Sequence, residues 1–95
     1  MANMDQSALY TMIKDAGFTV LIFEDHPQFF GNWRAHIKRG QNVYEIVSDN
    51  REGWLTLWRQ ANGQGEKLFE TESSKLGQEQ ELAIVKQWLE ATKQS

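Results

Sequence analysis

The sequence predicts an α+β fold: an antiparallel meander sheet of four to five strands, flanked by an N-terminal and a C-terminal helix in the order α-β-β-β-β-β-α. Short runs rich in β-branched and aromatic residues alternate with turn residues from Phe18 to Thr71, as the strands of a meander do. Apolar residues recur at helical spacing on either side of that region. The runs are joined by short connections, two of them marked by Gly40 and Asn62-Gly63, which suits hairpins between antiparallel neighbours.

Residues 4–16 read as the first helix. Leu9, Met12, Ile13 and Ala16 form its apolar stripe, Asn3 or Asp5 caps it, and Gly17 stops it. Residues 18–24 (FTVLIFE) read as a strand, and Asp25-His26-Pro27-Gln28 as a turn, since the residue before a proline avoids the helical region. Residues 29–39 alternate: Trp33, Ala35 and Ile37 point one way, Arg34, His36 and Lys38 the other. Gly40 permits a reversal into a strand at 43–48, and Asp49 to Gly53 forms a turn into a strand at 54–60. Asn62-Gly63 suits a type I′ hairpin, whose central positions both want positive φ, leading to a last strand at 67–71 that also reads as a helical turn. Residues 77–93 close the chain as an amphipathic helix. Its stripe is Leu82, Val85 and Leu89, widened by Ile84 and Trp88; Gln78, Glu79 and Glu81 lie in its first turn and Lys93 near its end, as the helix dipole prefers.

The 95 residues predict one small globular domain spanning 1–95, with an ordinary 40% hydrophobic and 24% charged content. Four tryptophans, five phenylalanines and two tyrosines supply large side chains to its core. The absence of cysteine excludes disulfides, thiolate nucleophiles and the common structural zinc sites. The first ten residues carry no basic segment followed by an apolar core, and the longest apolar run is far too short to span a bilayer. A soluble, cytoplasmic protein without a membrane partner is expected. A net charge of -3 lacks the basic field of a nucleic-acid binder.

Pairing the strands sharpens the reading. An Asn62-Gly63 turn sets Arg59 opposite Glu66, Trp58 opposite Lys67, Leu57 opposite Leu68 and Thr56 opposite Phe69. A four-residue loop at 49–52 sets Val47 opposite Trp54, Glu45 opposite Thr56 and Val43 opposite Trp58. A reversal at Gly40-Gln41 sets Ile37 by Tyr44, His36 by Glu45 and Ala35 by Ile46. One face then collects Trp33, Ala35, Ile37, Tyr44, Ile46, Leu55, Leu57 and Leu68, a core face for the helices. The other collects Val43, Val47, Trp54, Trp58 and Phe69, joined by Leu21, Phe23 and Phe30, among Arg34, His36, Lys38, Glu45 and Lys67. So many apolar residues on a nominally wet face exceed what a monomer usually exposes. Three coverings are open: one helix on each face or a curled sheet, a dimer, or a docked molecule. One more residue in the 49–53 loop would turn Trp54 and Trp58 to the core.

Motifs for chemistry are sparse. His36 and Glu45 could form an oriented general base, but no Ser, Thr or second acid is placed to complete a site, and the pair reads as an exposed cross-strand contact. His26 sits in ordinary turn chemistry. Asp49 to Gly53 lacks the spaced acids of a calcium loop, and Gly63-Gln64-Gly65 is no phosphate loop because no Lys-Ser/Thr follows. No motif implies a catalytic residue, a metal, a cofactor or a small-molecule ligand.

In size, acidity and lack of cysteine the chain resembles small bacterial proteins that act by binding another protein, such as immunity proteins and secretion chaperones. The apolar surplus on the second sheet face gives the expected function: a non-enzymatic protein-binding or regulatory module that takes a protein partner or a second copy of itself. Its partner-binding residues would be Trp54, Trp58, Phe69, Arg34, His36, Lys38 and Lys67: aromatics at the centre of a patch, charges at its rim. The alternative is a single-stranded nucleic-acid binder using Arg34, His36, Lys38, Trp54 and Trp58, rings for stacking and cations for phosphates. An enzyme using His36 and Glu45 is the remote alternative.

Overall fold

The computed structural model describes residues 5–26, 28, 31–61 and 63–93. Helix α1 (Gln6–Asp15) is followed by strands β1 (Thr19–His26), β2 (Asn32–Arg39), β3 (Asn42–Asp49), β4 (Trp54–Ala61) and β5 (Gln64–Glu72), then helix α2 (Gln78–Lys93). The strands form one antiparallel five-stranded sheet in sequence order. This is the α-β-β-β-β-β-α meander expected from the sequence, and the run around Lys67 is strand throughout.

Local chemistry explains the element ends. The Asp5 carboxylate caps α1 by accepting from the Ala8 amide at 3.2 Å; Asn3 and Met4 lie outside the described residues. Gly17, at φ 91°, ends α1, and the Phe18 amide donates back to the Ile13 carbonyl at 3.1 Å. At the start of α2 the Gln80 side chain accepts from the Gly77 amide at 2.8 Å, half of a capping box. The two helices run side by side in the same direction: the Asp5 amide donates to the Gln78 side chain at their starts, and the Lys93 stem lies against Gly17 at their ends.

Both helices cover the same face of the sheet. Leu9 and Ile13 of α1 and Val85 and Leu89 of α2 meet Trp33, Ala35, Ile37, Tyr44, Ile46, Leu55 and Leu57 in one buried cluster. Every residue assigned to the core face of β2, β3 and β4 is there, and Leu68 is partly buried against it. Aromatic edges fasten the helix layer to the strands, with Phe18 against Tyr44 at 5.7 Å and Tyr10 against Phe23 at 6.0 Å. One helix on each face, an open possibility from sequence, is not the arrangement.

The β2–β3 register agrees with expectation at Ile37–Tyr44, His36–Glu45 and Ala35–Ile46. Between β3 and β4 the loop has the expected length but begins one residue later. Asp49 stays in the strand opposite Trp54, so Val47 faces Thr56 and Glu45 faces Trp58. The reason is local: the Asp49 carboxylate accepts from the amides of Arg51 and Glu52, both at 3.1 Å, and Gly53 takes φ 81°. The shift moves opposing partners by two positions and preserves parity, so Trp54 and Trp58 remain on the His36 face.

Two bulges alter the outer strands. In β1 the register slips between Val20 and Ile22, so Ile22 opposes His36 and Phe23 opposes Ala35. Phe23 therefore joins the core side, against Trp33 at 6.2 Å, rather than the wet face. Asp25 and His26 continue β1 instead of forming a turn. In β5, Trp58–Lys67 and Arg59–Glu66 pair as expected, but the register then slips and Phe69 opposes Leu57, not Thr56. The expected places of Pro27, Phe29, Phe30 and Asn62 lie outside the described residues.

Candidate functional site

The sheet face opposite the helices gathers most of the residues singled out from sequence. Its side chains form cross-strand rows that follow directly from the register. One row reads Ile22, His36, Glu45, Trp58 and Lys67 from β1 to β5. The next reads Glu24, Arg34, Val47, Thr56 and Glu70, and Asp49, Trp54 and Glu72 lie in the row beyond. Lys38 and Val43 lie together in the row on the other side, with Thr19 and Gln60.

Most of the charges in the two central rows of this face are paired, whereas Lys38 makes no ion pair among the described residues. Glu45 Oε2 is 2.9 Å from His36 Nε2 and 3.7 Å from Arg34 Nε. The other end of the Arg34 guanidinium donates to Glu24 at 2.8 Å, and His26 is 3.5 Å from that same carboxylate. The hydrogen bond from Arg34, and next the charge of its guanidinium, hold the Glu24 carboxyl below the usual carboxylate range. The same bond raises the pKa of Arg34. Lys67 reaches Glu70 at 2.6 Å while its ammonium stands 5.8 Å from the Trp58 ring centre.

The two indoles differ. Trp58 is half-buried, and its Nε1–H donates to the Thr56 hydroxyl at 3.0 Å, which lays the ring along the sheet. Trp54 is 42% exposed between Asp49 and Glu72 and stands at the rim of the face. Ile22 and Leu21, 51% and 49% exposed, extend the apolar surface to the β1 edge.

Phe69 does not belong to this group. The β5 bulge carries it to the helix side, where its ring stacks on Trp88 of α2 at 5.7 Å with 10° between the planes. Burying an aromatic ring beneath α2 outweighs an unbroken strand ladder. Phe23 is lost to the open face in the same way. The face is therefore less apolar than expected: valines and two indoles set within ion pairs, with Ile22 in place of Phe23.

One functional group escaped the sequence reading. Glu81, assigned to the helix dipole, is only 7% exposed and accepts from the Ser48 hydroxyl at 3.1 Å in the core. Burial pushes its carboxyl pKa up, partly offset by Ser48 and then by the Trp33 indole. Its spacing of four residues from Val85 and eight from Leu89 places it on the buried stripe, a signal present in the sequence.

A hollow of about 700 Å³ between the helices is lined by Asp5, Thr11, Asp15, Lys86 and Glu90 among others, and takes in none of the candidate residues. Among the described residues there is no cluster of three or more His, Asp or Glu side chains able to hold a metal ion. No described helix is long and apolar enough to cross a membrane. Comparison with protein-family models, curated proteins and solved structures finds no match.

Proposed function

We propose that this chain is a non-enzymatic module that binds a partner protein through the open sheet face, with Trp54 and Trp58 as anchors and Arg34, His36, Lys38 and Lys67 around them. The observation that supports this reading is the one-sided placement of the helices. It leaves one sheet face without a helix, on which Trp54 stands 42% exposed at the rim and Trp58, on the same strand face, is held in place by Thr56. Rigid aromatics within a charged surround are the composition of protein-binding patches. Arg34, His36 and Lys67 are already engaged with glutamates, which suits a partner that adds contacts at the rim better than a ligand that needs several bare cations. The acidic total, at net charge -3, and glutamates among the cations make a phosphate backbone the poorer match.

A photo-crosslinking side chain placed at Trp54 in the native cell tests the reading. A discrete adduct with another protein is expected there, and none from a control at Gln87 on the outer side of α2. Equal adducts from both positions, or none from either, would contradict it.

A further inference from the structure

We propose that two copies of this chain pair through their β1 edges, antiparallel about a two-fold axis at Ile22, and so join their sheets into one. The pairing uses the β1 edge, which borders the Trp54–Trp58 face and shares Lys38 with it; the response to Trp54→Ala separates the two readings.

The outer strands are unequal. β5 presents Glu66, Lys67, Glu70 and Glu72 along its length, a charged edge of the kind that deters pairing. β1 carries no charge from Thr19 to Phe23, and Leu21 and Ile22 at its middle are half exposed. Beside it on the helix side lies a mostly apolar hollow of about 280 Å³, lined by Tyr10, Lys14, Phe18, Thr19 and Val20. An outer strand of this character is a template for strand addition.

Charge selects a second copy as the strand that adds. The start of β1 is net basic: Lys14 and Asp15 end α1, Lys38 pairs with Thr19, and the Arg39 guanidinium stands 6.0 Å from the Phe18 ring centre. The end is net acidic: Glu24 and Asp25 outnumber Arg34, which shares the Glu24 carboxylate. Antiparallel two-fold pairing lays each acidic end beside the other copy's basic end, twice per dimer. The bulge fixes a register. With Leu21 looped out in both strands, Ile22 faces the partner's Ile22, Phe23 the partner's Val20, and Glu24 the partner's Thr19. The pleat stays in phase: Ile22, Glu24 and Thr19 belong to the open face, Phe23 and Val20 to the helix side. Glu24 then lies two strands, about 10 Å, from the partner's Lys38, within reach of the two side chains. Lys38 makes no ion pair among the described residues, so it is available for this contact.

Sedimentation of the full chain across micromolar to millimolar concentrations tests this. The wild-type protein should dimerise, more weakly as salt rises. Lys38→Glu and Glu24→Lys should each weaken self-association by about tenfold or more, since each places like charges together twice. An equimolar mixture of the two variants should recover a heterodimer, because both contacts then become attractive; the recovery also shows that each variant is folded. Trp54→Ala should leave the dimer in place. A wild-type monomer at every concentration, single variants that associate like wild type, a mixture that gains nothing, or a dimer abolished by Trp54→Ala would each overturn the proposal.

Discussion

The two faces of one sheet are built by opposite rules. On the helix side, alternate residues of β2, β3 and β4 are apolar and dry, with Ala35, Ile37, Ile46, Leu55 and Leu57 wholly inaccessible. On the open side, the intervening residues are ion-paired, half-buried or exposed, apart from the buried Thr56 beneath Trp58, and the apolar ones are valines, Ile22 and two indoles. The same strands serve both faces, so the difference lies only in which side chain the pleat turns which way. The helix face carries the buried core, while the open face keeps its polar side chains in ion pairs and its indoles partly in solvent.

The sharpest way to break this contrast is to truncate an aliphatic side chain on each side. Leu57→Ala should cost about 2–5 kcal/mol in chemical denaturation, while Val47→Ala on the open face should cost roughly 1 kcal/mol. Equal losses would mean that both faces are covered.

The position of Phe69 is the next test. Phe69→Ala should cost about 2 kcal/mol, because the ring is stacked on Trp88. Combined with Trp88→Ala, the losses should fall short of additive by about 0.5–1.5 kcal/mol. Strict additivity would return Phe69 to the open face.

The carboxylates of the two faces should answer pH with opposite signs. Glu81 has its folded pKa raised by burial. Its favourable contribution is complete below the unfolded pKa and is lost as pH rises through the folded value. The melting midpoint of wild type relative to Glu81→Gln should therefore fall as pH rises from acid towards neutral. Glu24 has its folded pKa lowered by Arg34, so its contribution is present above the unfolded pKa and is lost as pH falls through the folded one. The midpoint of wild type relative to Glu24→Gln should rise with pH. Two differences of the same sign would contradict this assignment of environments.

The smallest effect belongs to the half-exposed pair of His36 and Glu45. Glu45→Gln should change stability by about 1 kcal/mol or less, and less again at high salt.

What the sequence made legible follows the same division. The alternation of Trp33, Ala35 and Ile37 against Arg34, His36 and Lys38 was readable because each face imposes its own composition on a period of two. The parity of Trp54 and Trp58 is preserved although the loop starts one residue later, since Asp49 and Trp54 enclose a turn of four residues, the expected length. The bulges beside Leu21 and Leu68 were not readable. Neither VLIF nor KLFE contains a glycine to mark a bulge, and each slip brings an aromatic ring against a partner on another element: Trp33 for Phe23, Trp88 for Phe69. An apolar stripe says that a helix is covered along one side, not which face of a sheet it covers. The shared placement of α1 and α2, on which the candidate site depends, came only from the three-dimensional arrangement.

Oxidative footprinting of the four tryptophans on dilute protein tests the one-sided sheet most directly. Trp54 should be modified fastest, Trp58 and Trp88 more slowly, and Trp33, at 2% exposure, slowest. Trp54 protected as well as Trp33 would show that something in the chain already covers the open face, and would contradict the reading of that face as a surface for a partner.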